Sequence, residues 1–194
     1  MNHWSHKTAE VSSQAKIGAG TKIWHNSQIL ANAQIGKNCT IGHNCLICSK
    51  TKIGNGVKIE SNIDIWDLVT LKNYVFVGPS VVFTNDLNPR AKYPKKDYPQ
   101  YGKWLPTLIK EGASLGANAT IICGITIGRS ALVGAGSVVN KSIPDYALVV
   151  GVPAKQIGWI CECGNRIEFE TDKTECHICK RKYIKKDNIV KEIK

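Results

Sequence analysis

The 194 residues carry 43% hydrophobic side chains and a formal net charge of +11. That apolar content suffices for a buried core, and no apolar run approaches the roughly 20 residues a membrane-spanning helix needs. The N-terminus, Met1-Asn2-His3-Trp4, lacks the charged and apolar regions of a signal peptide, and eight cysteines without an export signal read as reduced thiols or metal ligands; a cytoplasmic protein is expected.

From Val11 to Phe83 every sixth residue is large and apolar: Val11, Ile17, Ile23, Ile29 and so on through Leu71, Val77 and Phe83. Two residues before each stands a small or β-branched one, as in Thr21, Ser27, Cys39, Cys45 and Val57. The pattern resumes from Ile109 to Val139. A helix repeats near 3.6 residues and a strand near 2, so a strict six belongs to neither alone. A coil of three short sides fits, each side sending one large residue to the axis and turning on polar residues. Hexapeptide periodicity therefore predicts an all-β solenoid, a parallel β-helix, over residues 1–158.

Phe83 and Ile109 are 26 residues apart, so Thr84 to Leu108 must leave the coil. This long segment is rich in Pro, Tyr, Asn and Lys, the composition of a functional loop. Its bases Arg90, Lys92, Lys95, Lys96 and Lys103, with those of the tail, either solvate turns or attract a polyanionic small molecule. The tail interleaves its bases with acids, which argues against nucleic acid.

With three hexads per coil, residues 18 apart should stack at about 4.8 Å. His25, His43, Ser61 and Pro79 then form one corner column, with Asn26, Asn44, Asn62 and Ser80 beside it. On another corner Asp67 should lie one coil beneath Asn85, at the mouth of the long loop.

Several motifs resemble a known family: Phe83-Thr84-Asn85 with Asn88-Pro89-Arg90, Leu115-Gly116-Ala117-Asn118-Ala119-Thr120-Ile121, Val133 to Val139, and the ending Val150-Gly151-Val152-Pro153-Ala154. With the hexads, they resemble the left-handed β-helix acyltransferases over roughly residues 8–160. The resemblance is nearest to nucleotide-sugar N-acetyltransferases that acetylate a 3-amino group, first the UDP-2-acetamido-3-amino-2,3-dideoxy-glucuronate enzymes. The left hand, a homotrimer and acetyl-CoA as co-substrate are implied by the resemblance. Gly116, Ala117, Gly134, Ala135 and Gly136 would let the pantetheine arm approach the backbone. Lys141 and Lys155 would meet its phosphates, and Pro153 with Ala154 its adenine. Asn85 would anchor the sugar near the thioester, Arg90 would meet a carboxylate or pyrophosphate, and Glu60, Asn62 and Asp67 would line the sugar pocket. His25 matches a family position and is a candidate base. Glu60-Ser61-Asn62 departs from the Gln-Asn-Asn usual in the uronate enzymes, and Ile65-Trp66-Asp67 looks like the dTDP-3-amino-3,6-dideoxyhexose acetyltransferases. A metal-dependent hydratase would need three convergent histidines, and a non-catalytic scaffold would need neither the loop nor the ending.

In the tail, residues 159–194, Cys161-Glu162-Cys163 and Cys176-His177-Ile178-Cys179 are two close pairs twelve residues apart. This is zinc-ribbon spacing except that the first pair is C-x-C. Zinc (or iron in its place) held by Cys161, Cys163, Cys176 and Cys179 is expected to organise a segment with little apolar content, with His177 as a substitute ligand.

Overall fold

The computed structural model describes residues 3–91, 97 and 103–193; Lys92, Lys95 and Lys96 of the basic loop lie outside them. No helix occurs among the described residues. The chain is a left-handed parallel β-helix built almost wholly of two-residue strands. One side stacks strands from Trp4–Ser5 to Ala147–Val150, a second runs from Glu10–Val11 to Val138–Val139, and a third from Lys16–Ile17 to Thr126–Ile127. Register follows the 18-residue step, as in Lys22 with Thr40 and Thr40 with Lys58. Across the excursion the step lengthens to 38, as in Phe76 with Ser114 and Val82 with Thr120, so the loop inserts 20 residues without disturbing the lattice.

The six-residue columns make the core. Ile23, Ile29, Ile41, Ile47, Ile59, Ile65 and Leu71 are all buried, as are Phe83 and Ile109 on either side of the loop. The polar members of the second column before the loop are satisfied within the lattice. Thr21 Oγ1 donates to the Gly36 carbonyl at 2.8 Å and accepts from Cys39 N–H at 3.1 Å; Ser27 does the same with Gly42 and Cys45. Cys39 and Cys45 occupy the equivalent places one coil on, their thiols directed at the carbonyls of Gly54 and Glu60. Burial raises both thiol pKa values, as expected of packing thiols.

The corners explain the polar residues between strands. Asn26, Asn44, Asn62 and Ser80 each have φ between 57° and 62°, in the left-handed region, and Asn118 and Gly136 continue that column. Asparagine tolerates this conformation because its short amide can bond locally. Corner backbones also pair between coils, as in Asn62 N–H to His43 O at 3.1 Å.

The tail is more than a metal-tied strap. Strand Lys155–Ile160 turns back antiparallel on Ala147–Val150 and pairs with Arg166–Ile167, so the first side continues into the tail. This strand crosses the 158/159 division drawn from sequence. The remaining strands, Lys173–Glu175, Lys182–Lys186 and Ile189–Ile193, form an antiparallel sheet of their own. Trp159, Ile160, Ile167, Tyr183 and Val190 are buried, and the Tyr183 ring meets Tyr146 of the last coil edge-on at 5.3 Å. The expectation of little apolar content missed this small aromatic core.

Candidate functional site

Two corners and one turn carry the predicted residues. Glu60, Ser61 and Asn62 follow strand Lys58–Ile59 on the corner between the first and second sides, and the same corner carries Gly116, Ala117, Gly134, Ala135 and Gly136 on higher coils. Asp67 and Asn85 lie on the corner between the second and third sides, two residues beyond strands Asp64–Ile65 and Val82–Phe83. Within one chain, therefore, Asn62 and Asp67 flank opposite ends of one side and do not share a pocket. Height along the axis orders them. Asn85 belongs to the coil of Phe76; Glu60 and Asp67 sit one coil below, Gly116 one above and Gly134 two above. Asn85 is at the level that separates the predicted sugar residues from the predicted coenzyme residues.

The side chains differ in how free they are. Asp67 Oδ1 accepts the Lys50 N–H at 2.9 Å, a turn contact that leaves its second oxygen without a partner among the described residues. Asn62 Oδ1 accepts from Asn44 Nδ2 at 2.9 Å, so Asn62 is a rung in a corner ladder. Glu60 pairs with Lys58 at 2.8 Å. Arg90 is exposed and donates to the neighbouring Pro89 carbonyl at 2.8 Å. The Asn85 side-chain amide has no hydrogen-bond partner among the described residues, while its backbone carbonyl accepts the N–H of Leu105 at 3.2 Å. The adjacent Thr84 Oγ1 accepts Cys123 N–H at 3.0 Å, fixing the exit from the coil.

His25 is elsewhere. It stacks on His43 with ring centroids 4.9 Å apart and 3° between planes, and meets His6 edge-on at 5.4 Å. Its coil is three below that of Asn85, roughly 14 Å along the axis. His43 Nδ1 lies 2.7 Å from Ser61 Oγ, and His6 Nδ1 lies 3.0 Å from Thr8 Oγ1.

The glycines divide. A Cβ at Gly116 would come 2.5 Å from the Ala135 nitrogen, so packing between coils already demands glycine there. Gly136 has φ +68° and nothing within 4 Å of a built Cβ, which makes it the corner glycine that faces open space. Lys141, Pro153 and Lys155 are exposed, but Ala154 is buried and donates its N–H to Val138 O at 2.8 Å. Ala154 holds the turn in place, so its methyl cannot face an adenine. Sequence reading passed over Trp104, 41% exposed beside Leu105 at the neck of the loop; an aromatic in a polar, proline-rich segment was the available signal.

The four tail cysteines converge. Their Sγ atoms all lie within 4.8 Å of one another, with Cys161 to Cys179 at 3.3 Å and Cys163 to Cys176 at 3.6 Å. A tetrahedron with metal–sulfur bonds of about 2.3 Å has edges of about 3.8 Å, so one cation fits between them. Each pair rides a tight turn: Cys161 N–H donates to Asn165 O, and Cys176 N–H to Arg181 O, both at 2.8 Å. Burial pushes the Cys161 thiol up to about 12, whereas the backbone and side chain of Arg181 bring Cys179 down to about 6 and Asn165 lowers Cys163. A bound cation would favour the thiolate at all four. His177 is exposed and lies outside the cluster.

The description "Bacterial transferase hexapeptide (six repeats)" matches residues 14–49, and "Hexapeptide repeat of succinyl-transferase" matches residues 106–141. Two stretches of the solenoid, one before and one after the long loop, thus match hexapeptide-repeat transferase models. The chain is 45% identical over 87 residues to dTDP-3-amino-3,6-dideoxy-alpha-D-galactopyranose 3-N-acetyltransferase of Aneurinibacillus thermoaerophilus, a match covering 45% of each protein. It is 32% identical over 102 residues to galactoside O-acetyltransferase of Lactococcus lactis, covering 52% of this chain and 48% of that one. The chain thus spans less than half the length of these relatives. A crystal structure of a mutant of AntD, an N-acyltransferase from Bacillus cereus in complex with dTDP and coenzyme A, shares the fold at 18% identity and a TM-score of 0.53, over 81% of this chain and 82% of that one. These proteins are acyltransferases.

Proposed function

We propose that this protein is an acetyl-CoA-dependent N-acetyltransferase acting on the 3-amino group of a nucleotide-linked amino sugar. The observation that carries the reading is the 45% identity over 87 residues to a dTDP-3-amino-sugar 3-N-acetyltransferase. The long loop leaving the coil at Asn85, whose side-chain amide has no partner among the described residues, supports it. We favour a dTDP-linked 3-amino-3,6-dideoxyhexose over the UDP-linked uronate of the first resemblance. In this reading the Glu60 carboxylate, paired with Lys58, stands beside the sugar, where a uronate would bring a second negative charge.

Acyl transfer to an amine requires a neutral nucleophile held in line with the thioester carbonyl and donors for the oxyanion. In this reading the Asn85 amide orients the sugar, Asp67 uses its open oxygen on a hydroxyl or the amine, and Arg90 meets the pyrophosphate. The departing CoA thiolate takes the proton, and no proton transfer is assigned to His25, three coils away. Pantetheine lies along the corner of Gly116 and Gly136, and Lys141, Pro153 and Lys155 meet the nucleotide end. The four-cysteine centre holds zinc as a structural ion. A homotrimer completes the groove; the outward column Phe76, Ser114, Leu132 and Leu148 is half-buried and largely apolar on the upper coils, consistent with a covered side.

Mass spectrometry of products from a panel of dTDP- and UDP-linked 3-amino sugars with acetyl-CoA tests this. An acetylated dTDP-3-amino-3,6-dideoxyhexose is expected, with slower turnover of the uronate. A panel with no acetylated member, alongside intact and saturable CoA binding, would remove the amino-sugar assignment.

A further inference from the structure

We propose that the four-cysteine centre is a positioning clamp for the coenzyme end of the solenoid, acting through Tyr183 and strand Lys155–Ile160 on the Gly151–Ala154 turn. This rests on reading that turn as a coenzyme contact.

The turn and the centre are the two ends of one strand. Ala154 precedes Lys155–Ile160 and Cys161 follows it. The strand is held unevenly. Lys155, Gln156 and Ile157 are exposed; Lys155 and Gln156 pair with the last coil strand, Ile157 is bulged out of register at the shift between Leu148 and Val149, and its carbonyl accepts from the exposed Arg166 side chain at 3.0 Å. Trp159 and Ile160 are buried and pair on both sides. Its anchored end is therefore the end that carries the cysteine.

Tyr183 locks that end to the solenoid. It is wholly buried. Its hydroxyl lies 3.1 Å from Cys161 Sγ and accepts the Glu162 N–H at 3.1 Å, so its own proton is free to be donated to the sulfur. Its ring packs edge-on against Tyr146, whose carbonyl accepts Ile160 N–H at 2.8 Å and whose N–H reaches Arg129 O at 2.8 Å. Outer partners of this kind orient a metal's ligands; here the partner also belongs to the packing of the last coil.

At the far end the turn is tied to the corner beside Gly136. Gly151 N–H donates to Ser137 Oγ at 3.1 Å, Val138 N–H to Gly151 O at 3.0 Å and Ala154 N–H to Val138 O at 2.8 Å. A small tail sheet has little stability without its metal. Metal loss frees the anchored end of the strand, and the turn must then be ordered when coenzyme binds, at a cost in affinity.

The experiment uses the full-length zinc-loaded protein and the same protein stripped by a chelator. Calorimetry gives the CoA Kd, and hydrogen exchange follows the amides of Val138, Gly151 and Ala154 against those of Thr40 and Lys58 in the inner coils. Stripping should weaken CoA about tenfold or more and speed exchange at the first three amides alone. Zinc-loaded Tyr183→Phe keeps the ring but loses the hydroxyl, and should weaken CoA about fivefold, the scale of one hydrogen bond. Unchanged affinity and exchange after stripping would overturn the clamp, as would loss of protection through every coil. If the zinc-loaded protein binds no CoA, the coenzyme reading of the turn fails, and the exchange data alone decide whether the centre holds it.

Discussion

The backbone carbonyl of Asn85 accepts the N–H of Leu105 at 3.2 Å, so the excursion leaves and re-enters the lattice through one main-chain pinch. The bond spares the Asn85 side chain, whose amide is left without a partner among the described residues. The structural duty of this backbone and the catalytic duty proposed for its side chain are therefore separable. Asn85→Ala should keep the pinch, the melting temperature and the CoA affinity, yet lower kcat/KM about a hundredfold, the scale of losing a contact that positions a nucleophile. His25→Ala should have a clearly smaller effect on rate. A near-wild-type Asn85→Ala beside a folded but inactive His25→Ala would replace this mechanism with a histidine base.

Trp104 stands next to the pinch and is 41% exposed, about as much as Trp4 and Trp24 at the other end of the solenoid. In the proposed reading the loop receives a nucleotide, and this ring at its mouth is suited to the base. Trp104→Ala should raise KM for the nucleotide sugar about tenfold with kcat little changed, the pattern of lost uniform binding. A fall in kcat at constant KM would mean the ring shapes the reacting centre instead.

Thr107 lies at the base of the loop, in the buried second column, and its Oγ1 has no hydrogen-bond partner among the described residues. Thr51, in the same column two coils below, donates to the carbonyls of Ile65 and Trp66. The same substitution should therefore change sign between the two sites. Thr107→Val removes an unpaired buried hydroxyl and should stabilise by about 1 kcal/mol, whereas Thr51→Val should destabilise by a similar amount. Thermal denaturation of the two variants decides it; equal losses would show that Thr107 is satisfied in solution.

The lattice was legible because one column of residues every six places has one physical cause, the burial of a coil's interior. The 18-residue step placed the left-handed asparagine corners correctly, since Asn26, Asn44 and Asn62 share a conformation as well as a column. The loop has no period, so its length could be read from where the hexads lapse but its pinch could not. The tail core depends on Tyr183 meeting Tyr146, residues far apart in sequence with no pattern joining them. Likewise nothing in Val150-Gly151-Val152-Pro153-Ala154 distinguishes the buried Ala154 from the exposed Pro153. The convergence of four cysteines was readable because close Cys pairs at turn spacing have few other uses.

The two classes of thiol should separate chemically. Protein purified without chelators should contain one zinc per chain by elemental analysis. Thiol titration of the native protein should then find the tail cysteines protected, and a chelator should expose four. Cys39 and Cys45 should remain unreactive in both states, because burial in the coil raises their pKa and excludes the reagent. Metal-free protein with four freely titrating tail thiols would exclude the centre.

In the proposed reading Glu60 bears on which sugar is accepted. Its carboxylate is held 2.8 Å from Lys58 Nζ and its side chain is about one-third exposed, so the field it casts on a neighbouring ligand is partly screened. A uronate carboxylate placed against it meets like charge, whereas a 6-deoxy sugar carries no charge there. Glu60→Gln preserves the shape and removes the charge, and it leaves Lys58 unpaired to attract an anion. The variant should raise kcat/KM for a UDP-linked 3-amino uronate relative to the dTDP-linked deoxyhexose by about fivefold to tenfold, equivalent to roughly 1 kcal/mol of screened repulsion. Competition between the two substrates in one vessel, read by mass spectrometry, measures the ratio directly. An unchanged ratio would place Glu60 outside the sugar site, and wild-type preference for the uronate would return the assignment to the UDP-linked substrate.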